Sequence, residues 1–206
     1  QQDPVVKGHL GHELLVATVE EDLDRVSDLL DQGADIFYVD PETGGTVMHL
    51  AGWKCNMDMA TLLLEHGADT NAVNGLGRTP MHDAASQGCY AMVKYLIDVD
   101  ANIDRRDAVG FTPMFILAVL SEDQGGRDTI RTLLENGATP NIWDGNGHTP
   151  LMAAASKNDL ELVQMLLEYK ADLDFRDTEN RSALGWAMVK GSLEVRDYLL
   201  EIGAQP

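Results

Sequence analysis

Gly77-Arg78-Thr79-Pro80-Met81-His82-Asp83-Ala84-Ala85 is the stretch on which the reading of this chain turns. It has the chemistry of a helix start. Thr79 offers a hydroxyl that accepts from a free N–H of the first turn. Pro80 falls at the first helical position, where a missing N–H costs nothing. Gly77 permits the tight turn before it. The same chemistry returns as Gly110-Phe111-Thr112-Pro113-Met114 and as Gly147-His148-Thr149-Pro150-Leu151-Met152-Ala153-Ala154. Looser copies are Gly45-Thr46-Val47-Met48-His49-Leu50-Ala51 and Arg181-Ser182-Ala183-Leu184-Gly185-Trp186-Ala187. The threonine or serine recurs in steps of 33, 33, 37 and 33 residues. One such turn could arise by chance; three Thr-Pro copies at a fixed spacing do not.

A second anchor follows each apolar helical run: Gly33-Ala34-Asp35, Gly67-Ala68-Asp69, Asp100-Ala101-Asn102, Gly137-Ala138-Thr139, Lys170-Ala171-Asp172 and Gly203-Ala204-Gln205. Glycine suits the left-handed residue that ends a helix. Asp100 and Lys170 take that place at two ends, at an expected cost in stability. A repeat near 33 residues with a Thr-Pro-Leu-His-like core resembles the ankyrin-repeat family over nearly the whole chain. The resemblance implies an all-α fold: a solenoid of stacked helix-turn-helix units joined by β-hairpin loops. It divides the chain into a flexible lead-in at 1–8 and one domain at 9–206. Six repeats fill that domain, at about 9–40, 41–73, 74–106, 107–143, 144–176 and 177–206. The first helix pair is expected over 12–32. A lone repeat cannot bury its apolar face, so neighbours must stack. Arg25, Asp28 and Arg196 stand where the middle repeats are apolar, which reads as capping of both ends and an array that is whole.

Two irregularities interrupt the period. One extra residue lengthens the hairpin over 35–45, which carries Phe37 and Tyr38. Four more fall between the helices of the fourth repeat, within Ser121-Glu122-Asp123-Gln124-Gly125-Gly126-Arg127-Asp128. These read as a tolerated surface insertion or as a contact particular to this protein.

Composition narrows the function. A hydrophobic content of 44% argues against disorder. A formal charge of −19 argues against nucleic acid as partner, which needs a basic footprint. No apolar run is long enough to insert in a membrane, and Gln1 opens no signal-peptide pattern. A start at Gln1 in place of methionine reads as a fragment or processed product, with removal of a targeting segment left open. Cys55 and Cys89 are expected as free thiols, which places the protein in an intracellular, reducing compartment, the cytoplasm first.

No residue pattern points to an enzyme, a cofactor or a metal. His9, His12 and Glu13 have the His-x-x-His spacing of a metal site but lack a further ligand. His49 and His82 match the histidine that the family uses structurally, to hold the neighbouring loop. The resemblance implies binding through hairpin tips and first helices, which line a concave face. Carried over position by position, it selects Trp53, Lys54, Leu76, Arg78, Val109, Phe111, Leu120, His148, Lys157, Arg181 and Lys190, with Glu42, Val119 and Glu179 beside them. Five of these are basic and two acidic, so the face carries +3 and the remainder −22 of the total of −19. Aromatic and arginine residues are enriched at interface hot spots. The expected function is a non-catalytic protein–protein interaction module that holds a partner segment, with an apolar centre and a basic C-terminal half. The competing expectation is a scaffold or adaptor subunit docked permanently in a larger assembly. In isolation the first is expected as a monomer. The bland alternative is that Val119 and Leu120 pack under the insertion and that the basic residues pair with local carboxylates.

Overall fold

The computed structural model describes the backbone of residues 4–205 and the side chains of residues 8–205. The described residues form twelve helices and no strand. The chain divides into two compact units, Gln1–Ala108 and Val109–Pro206. Unit 1 carries α1 (Pro4–Val19), α2 (Leu23–Asp31), α3 (Val47–Lys54), α4 (Met57–Glu65), α5 (Pro80–Ser86) and α6 (Tyr90–Asp98). Unit 2 carries α7 (Pro113–Leu120), α8 (Gln124–Glu135), α9 (Pro150–Ser156), α10 (Leu160–Glu168), α11 (Ala183–Lys190) and α12 (Leu193–Glu201). Each odd-numbered helix packs on the helix that follows it, and within a unit successive pairs stack.

The motif residues start the helices as their chemistry dictates. Thr46, Thr79, Thr112, Thr149 and Ser182 are extended N-caps of α3, α5, α7, α9 and α11. Phe115, Met152 and Gly185 donate their N–H groups to the last three of these hydroxyls. At α3 and α5 the box is closed by histidine: the Nδ1 of His49 accepts from the N–H of Thr46 at 3.1 Å, and His82 does the same for Thr79 at 3.1 Å. The Nε2 of His49 reaches the carbonyl oxygen of Arg78 at 2.9 Å, tying α3 to the next hairpin. The apolar residues that follow at helical spacing form the cores: Leu14, Met48, Met59, Leu63, Met81, Met92 and Leu96 in unit 1, Met114, Leu117, Ile130, Leu133 and Leu151 in unit 2. Gly52 lets α3 approach α5 closely, for a Cβ there would lie 2.6 Å from the carbonyl oxygen of Pro80.

The connecting hairpins are built by side chains, not by strand ladders. Asp40, Asn74, Asp144 and Asp177 each accept with Oδ1 from the N–H two residues on, at 2.7, 2.9, 2.9 and 2.9 Å. Neighbouring hairpins then share single backbone bonds, Gly75 N–H to Thr43 O at 2.8 Å in unit 1 and Thr178 N–H to Asn146 O at 3.0 Å in unit 2.

Three expectations change. The first helix begins at Pro4, so residues 4–8 of the expected lead-in are helical, and residues 1–3 lie outside the described residues. The four extra residues of the fourth repeat do not form a loop: α7 has 8 residues against 7 in α9, and α8 has 12 against 9 in α10. Asp123 caps the lengthened α8 by accepting from the N–H of Gly126 at 2.8 Å. Ser121 packs where a Cβ at Gly126 would sit, so that glycine admits the turn. Finally, Cys55 and Cys89 form a disulfide, with Cα atoms 5.7 Å apart. Stacked helix axes stand roughly 10 Å apart, too far for a disulfide between helix centres. The two cysteines sit at helix ends instead, Cys55 as the left-handed C-cap of α3 and Cys89 as the N-cap of α6.

Candidate partner-binding surface

In unit 2 the repeats bring an aromatic cluster together. Phe111 stacks on Phe115 with ring centroids 4.7 Å apart. His148 meets Trp186 edge-on at 5.1 Å. These four rings, with Val119, Met152, Ala153, Ser156 and Asp144, line an open cavity of about 200 Å³. That is room for a side chain, since clefts for whole small molecules begin near ~300 Å³. Val119 and Leu120 are exposed at the end of α7, by 40% and 58%, so the lengthened α8 does not cover them. Val109 is exposed at a hairpin tip.

The basic residues of unit 2 are engaged locally. Arg181 donates through Nε to Asp177 at 3.0 Å, lies 2.9 Å from Glu179, and spreads over the face of Trp186 at 4.1 Å. The indole N–H of Trp186 donates to the same Asp177 carboxylate at 2.9 Å. Burial alone would raise Asp177, but the N–H and guanidinium of Arg181, the Trp186 indole and the N–H of Glu179 hold it below its ordinary value. His148 Nδ1 stands 3.0 Å from Asp144. Lys157 reaches the carbonyl oxygens of Val119, at 3.2 Å, and Ser121, and its burial lowers its pKa against the pull of Glu122 and Asp159. Lys190 is exposed and lies 5.7 Å over Trp186. The count of +3 therefore overstates the field of this face.

Unit 1 holds the other named positions. Trp53 is half exposed and forms one wall of a cavity of about 690 Å³ with Leu15, Val16, Val19 and Leu50. Lys54 lies 6.0 Å over the Trp53 ring and pairs with Glu21 at 3.4 Å. Arg78 pairs with the buried Asp107 at 3.2 Å. Leu76 stands exposed at its hairpin tip. Asp83, also on the cavity wall, is pushed up to about 6 by burial, which nearby Arg78 only partly offsets.

Trp186, Asp83 and Leu50 went unread in the sequence, though a signal was there. Each lies four residues after its cap, and the chosen position Trp53 lies seven after. A separation of three shares a helix face, so on each first helix the two positions point the same way. Among the described residues no group of three or more His, Cys, Asp or Glu side chains could hold a metal ion, and no helix is long and apolar enough to cross a membrane.

A family model for "Ankyrin repeats (3 copies)" matches residues 14–107 and again 108–206, close to the two units. Neurogenic locus notch homolog protein 1 of Homo sapiens is 33% identical over 167 residues, which is 80% of this chain and 6% of that protein. Its Xenopus tropicalis counterpart is 31% identical over 168 residues, again 80% of this chain and 6% of that protein. E3 ubiquitin-protein ligase KEG of Arabidopsis thaliana is 30% identical over 191 residues, 88% of this chain and 12% of that protein. The chain thus spans only a small part of these relatives. The spacing of the caps, the paired helices and the match along both units establish that the chain belongs to the ankyrin-repeat family.

Proposed function

We propose that this chain is a non-catalytic protein-interaction module, and that unit 2 seats an apolar side chain of a partner segment between Phe111 and Trp186. Ankyrin repeats serve generally as interaction modules, which supports the first half of the reading. The single observation that carries the second half is the open cavity of about 200 Å³ bounded by four rings, with Phe111, His148 and Trp186 part-exposed over a buried Phe115. Convergent aromatic surface that solvent reaches is characteristic of contact sites. Lys190 and the outer edge of Arg181 would meet acidic or phosphorylated groups of the partner. Most of the basic charge is already paired, so affinity comes from the rings and charge adjusts the encounter rate.

Capture of partners from a lysate, followed by titration with purified partner, tests this. Phe111→Ala is expected to lose about 2 kcal/mol, roughly thirtyfold; binding like the wild type would remove the site from unit 2.

The adaptor reading draws on a different observation. Met188, Val189, Leu193, Leu200 and Ile202 of the last helix pair are exposed by 54, 63, 58, 52 and 42%. A permanent neighbour would cover them. Sedimentation of the isolated chain separates the readings: a monodisperse monomer favours the transient module, concentration-dependent association the docked subunit.

A further inference from the structure

The cavity of unit 1 has a chemistry opposite to the aromatic face of unit 2. Its floor is apolar, from Leu15, Val16 and Val19 of α1 and Leu50 and Trp53 of α3. Its polar lining carries four acids, Glu20, Asp40, Glu42 and Asp83, beside His12, His49 and the uncharged Thr43, Thr46 and Asn74. No lysine or arginine belongs to that lining among the described residues. Of the nearby cations, Arg25 bridges Glu13 and Glu20, so Glu20 is already paired, while Lys54 pairs with Glu21 and Arg78 with Asp107. Among the described residues, Asp40, Glu42 and Asp83 have no salt bridge to a lysine or arginine. A volume of about 690 Å³ exceeds what one side chain fills, and lies within the ~300–1,000 Å³ typical of a bound ligand.

We propose that this cavity is a second docking site, and that its occupant is a protein segment presenting a lysine or arginine between apolar residues. The long aliphatic stem of such a side chain covers apolar wall while its head reaches carboxylate. The half-exposed indole of Trp53 supplies a face for the cation. Burial raises Asp83 to about 6, and a cation brought beside it favours the ionised carboxylate. An acidic segment would meet Asp40, Glu42 and Asp83, and is disfavoured.

The probe is a set of fluorescein-labelled eight-residue peptide pools, with Leu, Val, Ala and Ser randomised around a centre fixed as lysine, arginine, norleucine or glutamate. Each pool is titrated into the full chain by anisotropy. The lysine and arginine pools are expected to bind at least tenfold tighter than norleucine, with glutamate weakest. Trp53→Ala should remove binding, and Asp83→Asn and Glu42→Gln should shrink the preference for a cation. Glu168→Gln, an equal change of charge on α10, should not, which separates the site from the general pull of an acidic protein. Phe111→Ala leaves the result unchanged if the cavity of unit 1 is the site, so the reading of unit 2 stands or falls separately. Equal binding of norleucine and lysine, loss of the preference with Glu168→Gln, dependence on Phe111, or no binding by any pool would each overturn the proposal.

Discussion

His49→Ala removes one side chain and breaks two connections. The imidazole is 4% exposed. Its Nδ1 accepts from the Thr46 N–H at 3.1 Å and the Thr46 hydroxyl at 2.9 Å, so that nitrogen carries no proton. Nε2–H then donates to the carbonyl of Arg78 at 2.9 Å. Alanine leaves the Thr46 N–H without its partner and takes one of two donors from the Arg78 carbonyl, which keeps the N–H of Asn74 at 2.9 Å. An unmet buried N–H costs about 1–3 kcal/mol and a lost hydrogen bond about 1, and the ring leaves a void besides. We expect a loss of about 2–4 kcal/mol at pH 8 by guanidinium denaturation. The cost should shrink in acid. Burial lowers the pKa of His49 against the pull of the Arg78 and Ala72 carbonyls and of Asp69. The folded chain therefore holds this proton less tightly than the unfolded one. Stability from His49 is complete above the unfolded value, near 6.5, and is lost as pH falls from there toward the lowered folded value. The difference between wild type and variant isolates this group. A loss under about 1 kcal/mol at pH 8, or one that is the same at pH 8 and pH 5, would refute the role given to His49.

Asp83 carries the opposite sign. Raised from 3.8 to about 6, it costs stability above pH 6, and the cost fades as pH falls toward 3.8. Asp83→Asn should therefore stabilise at pH 7 by at most about 2–3 kcal/mol, less for the part of the group that water screens, with no gain near pH 4 in the same denaturation series. Lys170 occupies a left-handed C-terminal position with φ of 66°. Lys170→Gly should raise stability by about 0.5–1 kcal/mol, and thermal melting checks it. Thiol titration of the denatured, unreduced chain should find no free thiol, and two after reduction; two without reduction would restore the free-thiol reading.

What was legible in the sequence was whatever local chemistry repeats. Thr79-Pro80 makes a helix start wherever it stands, so five caps and their steps could be placed by counting. The four extra residues within 121–128 read as an insertion between two helices. The cap from Asp123 and the seat of Ser121 against Gly126 draw them into longer helices instead, and both depend on how α7 ends. The disulfide depends on two helix ends meeting, which no spacing in the chain reveals. The charge of the face was miscounted for a similar reason. Asp107 and Asp177 lie in hairpins outside the chosen positions, yet they neutralise Arg78 and Arg181. Trp186 was missed because the transferred positions covered the hairpin tips and the ends of the first helices, not the residue one turn earlier that shares their face.

The central claim is that the aromatic face of unit 2 receives the partner. A photoreactive benzophenone residue placed at Phe111 on that face, or at Glu168 on α10, tests it most directly, with crosslinked sites mapped by mass spectrometry. The account predicts partner crosslinks from position 111, suppressed by Trp186→Ala, and none from position 168. Crosslinks from position 168 with none from 111 would contradict it.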